Sequence, residues 1–91
     1  MATIEGKIKQ MLEDNGMFPQ QAQAVIDMAK ARPDLFPDME RRWADRAEDY
    51  PTSLIAVLWL GIKGLAVEWI DANLPKAWYR PMFTGGPIPT D

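Results

Sequence analysis

An all-α fold, a small bundle of about four helices with a long fourth helix at its centre and an extended aromatic C-terminal segment, follows from three features of this chain. Apolar residues recur at helical spacing through the first half. Prolines and glycines fall where helices start and stop. After Pro51, some 23 residues run without a breaker until Pro75, a helix of about 35 Å.

The spacing predicts a first helix over residues 3–15. Thr3 serves as N-cap, Ile4, Ile8, Met11 and Leu12 share one face, and Asn15-Gly16 ends it. A second helix over 19–31 starts with Pro19 at its first position and carries Ala22, Val25, Ile26 and Ala29 inward. Pro33 pushes Arg32 out of helical geometry and stops it there. A short third helix is expected over about 38–48, with Asp38 as N-cap and Met39, Trp43 and Ala47 on one side. The fourth helix is apolar nearly all round, as a central helix would be. It is also long enough for a bilayer, but Lys63, Glu68, Asp71 and the two glycines argue for a soluble core and no membrane partner. Gly61 and Gly64 each weaken a helix by about 1 kcal/mol relative to alanine, so close approach of another backbone or an aromatic ring is expected there. The helix surface left uncovered by three short helices is the candidate homo-oligomeric seam. Residues 1–83 should form one domain, with 84–91 ("TGGPIPTD") as a flexible tail.

Composition narrows the function classes. The chain has 91 residues, no cysteine and no histidine. Disulfides, thiolate nucleophiles, the common zinc sites and His-based proton shuttles are thereby excluded. Carboxylates remain: Glu68 with Asp71, and Asp45, Glu48 and Asp49, either group able to hold Mg²⁺ with water. No catalytic signature accompanies them, so the expectation is no enzyme, no cofactor and no metal site. A net charge of −3 disfavours duplex DNA as a partner. The opening "MATIEGKIKQ" has no apolar signal-peptide core, and a cytoplasmic location is expected.

The densest recognition chemistry lies in "LPKAWYRPMF", residues 74–83. Trp78, Tyr79, Arg80 and Lys76 are the candidate contact residues. Their aromatic and cationic groups suit a protein interface, or a base to stack and its phosphate to pair. The same segment can instead close the core as a lid. Arg42 and Arg46, four apart on the expected third helix, add a second candidate anion-binding face.

"YP" before a helix containing "VLWL", then "WIDANLPKAWYRPMF", together with "NGMFPQQAQAVI", resembles short accessory proteins encoded by tailed bacteriophages. The resemblance implies a small protein acting in an infected bacterial cytoplasm and carries no site residues with it. The expectation is a non-catalytic, homo-oligomeric binding protein that interferes with a host process by binding a host protein, such as a defence component. One alternative is an oligomer that sequesters an anionic nucleotide signal; another is a structural or assembly component of the virion.

Overall fold

Local chemistry fixes the first helix at both ends. In a computed structural model, which describes residues 2–74, α1 spans Ile4–Asp14. Thr3 caps it, its Oγ1 accepting the Gly6 N–H at 2.9 Å. At the other end Gly16 takes φ 106°, the left-handed conformation that suits glycine. The Met17 N–H then reaches the Leu12 carbonyl and the Gly16 N–H reaches the Glu13 carbonyl, a Schellman closure with Leu12 and Met17 both buried. The remaining open donors of the first turn find distant partners. The Ile4 N–H donates to the Asp45 carbonyl at 2.8 Å and the Glu5 N–H to the Trp43 carbonyl at 3.0 Å.

Helix α2, Pro19–Lys30, begins with Pro19 in the first turn, and the Gln21 side chain reaches back to accept the Phe18 N–H at 2.9 Å. Ala22, Val25, Ile26 and Ala29 are buried, as their spacing predicted. Lys30 in its last turn lies 2.9 Å from the Glu5 carboxylate, tying the end of α2 to the start of α1.

The helix expected over 38–48 does not form. Residues 31–46 run as successive turns, followed by a short 3-10 turn, Ala47–Asp49. Asp38, expected as an N-cap, instead adopts φ 66°, and Pro37 before it has no N–H to give. The carbonyls of Trp43 and Asp45, which a local helix would need, are taken by the N–H groups of Glu5 and Ile4. Ala2 and Ala47 extend this stitching through a 2.9 Å hydrogen bond, and Thr3 and Arg46 form an antiparallel bridge. The apolar side of the segment does behave as expected. Met39, Trp43 and Ala47 are buried, joined by Phe36, whose ring meets Trp43 edge-on at 6.1 Å between centroids.

Helix α3, Thr52–Asn73, is the helix expected as the fourth, so the described residues hold three α-helices and no strands. Leu74 closes it in an extended conformation, as the residue before a proline must be. Its 22 residues span about 33 Å. It packs on both α1 and α2, burying Ile55, Leu58, Ile62, Leu65, Ala66 and Ile70. The described helices and the 36–47 segment cover one side of it, and Val57, Leu60 and Val67 on the other side remain exposed. The core lies where the three helices meet, with Ile4, Ile8, Leu12, Val25, Ile26, Ile62 and Ile70 fully covered. Among the described residues no polar or charged side chain is buried. The extended aromatic C-terminal segment and the domain boundary expected at residue 83 lie outside the described residues.

Candidate functional site

The two glycines of α3 differ in what surrounds them. A methyl group at Gly61 would come within 2.8 Å of the Phe36 ring, well inside normal carbon contact. Phe36 therefore rests on bare helix backbone there, the close approach of an aromatic ring that a mid-helix glycine predicts. A methyl group at Gly64 would meet nothing within 4 Å. Nothing in the described chain uses the space that Gly64 leaves open.

Gly64 lies in the middle of the helix's outer stripe. Val57 is 66% exposed, Leu60 68% and Val67 39%, with Leu35 close by at 47%. Lone exposed apolar side chains are ordinary, but a run of them along one helix face is a candidate contact surface. Covering each would contribute on the order of 1–2 kcal/mol. Lys63 and Glu68 flank the stripe on opposite sides, 140° apart around the helix axis, and Lys63 makes no ion pair among the described residues. Beside the stripe a shallow groove of about 260 Å³ is lined by Leu35, Phe36, Gly61, Gly64, Leu65 and Glu68. The sequence carried a signal for this stripe: a second apolar line opposite Ile55, Ile62 and Ile70 on the same helix.

The predicted contact residues divide between placed and unplaced. Lys76, Trp78, Tyr79 and Arg80 lie outside the described residues, and with them the stacking surface of the nucleotide alternative. Arg42 and Arg46 are not on a helical face, because the helix that was to align them is absent. Arg42 lies over the Tyr50 ring, 5.9 Å from its centroid. Arg46 pairs with Asp49 at 2.9 Å and with Glu48 at 3.8 Å. Asp45 accepts the Tyr50 hydroxyl, and that hydrogen bond holds the Tyr50 pKa above its usual value. The acidic residues ahead of Pro51 are thus engaged by their own neighbours. Among the described residues no three Asp or Glu side chains converge as a metal-holding group.

A larger groove of about 620 Å³ opens between α1, the 3-10 turn and the start of α3. Lys7, Gln10, Glu48, Tyr50 and Ile55 are among its lining residues. Among the described lining residues one cation, Lys7, is balanced by one anion, Glu48, so they offer no concentrated charge to a phosphate. No protein-family model, no curated protein and no solved structure matches this chain. Chemically, the described surface is best equipped for apolar protein contact along α3. That helix is also long and apolar enough to cross a membrane by length and composition, with about a third of its apolar window buried.

Proposed function

We propose that this chain is a non-catalytic binding protein that acts by occupying the surface of another protein, with the outer face of α3 as its contact surface. The observation that supports this is the uncovered run of Val57, Leu60 and Val67 on a helix whose opposite face already completes the core. A domain this small gains stability from every apolar residue it covers, so a helix with a second apolar face has a use for it beyond the fold. The resemblance to phage accessory proteins supplies the setting: a bacterial cytoplasm, and a host protein whose work is blocked when its surface is covered.

The test is a comparison of wild type with Leu60→Glu. Leu60 is exposed, so the substitution adds charge to the face without disturbing the core. Affinity capture from bacterial lysate should retain a host protein on wild type and lose it on Leu60→Glu. Binding should then reappear between the purified pair by calorimetry. Identical capture by both proteins, with unchanged affinity for the purified partner, would remove α3 as the contact surface.

A further inference from the structure

We propose that the outer face of α3 is a pairing seam for a second copy of this chain, the two α3 helices lying parallel. This rests on the contact-surface reading above: a second copy covers the same face when no host protein does, so the two occupants compete for it. Ser53, Val57, Leu60, Gly64, Val67 and Asp71 follow one another at intervals of four, three, four, three and four residues. That alternation is the a/d spacing of a two-stranded coiled coil, with Val57 and Gly64 at a and Leu60 and Val67 at d. Ile62 then falls at f, diametrically opposite the seam, and it is fully buried in the domain's own core. The core and the seam therefore use opposite sides of one helix.

Two observations select a second copy as the occupant. The first is the spacing itself: Val57, Leu60 and Val67 supply the knobs of an a/d seam, while Gly64 between them faces its own copy, where the two backbones can come close without a side chain in the way. Gly61 has its reason in Phe36; Gly64 has none among the described residues. A branched side chain at a with leucine at d, as in Val57 and Leu60, also favours two strands over three or four. The second is the flanking charge. Lys63 occupies g and Glu68 the following e, five residues on. In a parallel pair a g residue lies beside the e residue five further along the other helix, so Lys63 meets Glu68 of the second copy, and symmetry makes the contact twice. Within one helix these two residues point 140° apart and cannot meet. An antiparallel pair would instead set Lys63 against Lys63. Asp71, at the next a position, would face its own copy and so ends the seam. Three apolar side-chain layers, with Gly64 facing Gly64 between them, make a small interface, and the pair is accordingly reversible.

The experiment is sedimentation equilibrium of the full chain from about 1 µM to about 1 mM, at low salt. Wild type should pass from monomer to dimer within that range, and Leu60→Glu should stay monomeric with an unchanged circular dichroism spectrum. Lys63→Glu and Glu68→Lys should each weaken pairing by about tenfold, and the double exchange should restore it. A dimer not restored by the double exchange would overturn the parallel arrangement. A monomeric wild type overturns self-pairing, and host capture then separates the two proposals. Loss of capture in Leu60→Glu keeps the face as a contact surface, whereas unchanged capture removes both. Two further results would also overturn self-pairing by assigning another occupant. One is dimerisation that appears only when residues 75–91 are deleted, which would give the face to the chain's own C-terminal segment. The other is flotation of wild type, but not Leu60→Glu, with phosphatidylcholine vesicles, which would give it to lipid.

Discussion

Replacing each glycine of α3 by alanine should move stability in opposite directions. Alanine is favoured over glycine inside a helix by about 0.8–1.0 kcal/mol, and both positions receive that gain. At Gly64 the new methyl group meets nothing within 4 Å, so the gain is kept whole. Gly64→Ala should raise the melting temperature by about 4–8 °C in a domain of this size. At Gly61 the methyl group would stand 2.8 Å from Phe36 Cε1 and 3.2 Å from Cζ. Carbon atoms prefer about 3.5–4.0 Å, and the ring cannot simply swing away because Trp43 abuts it. Overpacking of this kind costs about 1–3 kcal/mol, leaving Gly61→Ala destabilised by up to about 2 kcal/mol. Urea denaturation followed by circular dichroism, at low micromolar protein so that association does not contribute, reads both values. Phe36→Leu in the same background should remove the clash and turn Gly61→Ala favourable, a coupling that a double-mutant cycle isolates. Equal stabilisation by the two alanines would show that Phe36 does not rest on Gly61, and the contrast drawn between the glycines would fall with it.

Three further outcomes are expected. Thr3→Ala should cost about 1 kcal/mol in urea denaturation through loss of the bond to the Gly6 N–H, and Thr3→Ser should stay near wild type. Lys30→Met should cost less than about 1 kcal/mol, since its pair with Glu5 is partly exposed, and the difference should shrink in about 1 M salt. The hydrogen bond to Asp45 raises the pKa of Tyr50 in the folded state, so its contribution is complete below the unfolded value, about 10, and is lost as pH rises through the raised one. Thermal melts above about pH 10 should therefore fall less steeply in Tyr50→Phe than in wild type.

The parts of the fold legible in the sequence are those decided by neighbours along the chain. Thr3, Gly16 and Pro19 act within a few residues of themselves, and the bounds of α1 and α2 came out within one residue of expectation. The inward stripes of both helices were equally plain. The segment from 38 to 48 was misread for a reason no local pattern contains. Met39, Trp43 and Ala47 do point inward at helical intervals, but the backbone between them gives its carbonyls to α1, some 40 residues earlier in the chain. Helix α3 was placed correctly, and the described elements leave Val57, Leu60 and Val67 on its outer side exposed. Of the candidate contacts, Arg42 and Arg46 lost their common face with the helix that carried it, while Lys76, Trp78, Tyr79 and Arg80 lie outside the described residues. The outer stripe of α3 was present in the sequence as spacing alone; only the position of Phe36 distinguishes the filled glycine from the open one.

The stitching of Ala2, Ile4 and Glu5 to residues 43–47 has a consequence for the order in which the protein can be completed during synthesis. At translation rates of about 5–20 residues per second, α1 and α2 emerge seconds before the strap that finishes the first turn of α1. In that interval the nascent hairpin has bare amide donors at its leading end and no α3 to shield Ile8, Ile26 and their neighbours. Helix α3, the last of the described helices to be made, supplies the third wall of the core, and it carries the most water-averse surface in the described chain. A chain stalled anywhere before residue 70 would present sticky half-structures, so slow codons within α3 should lower soluble yield more than slow codons within α1.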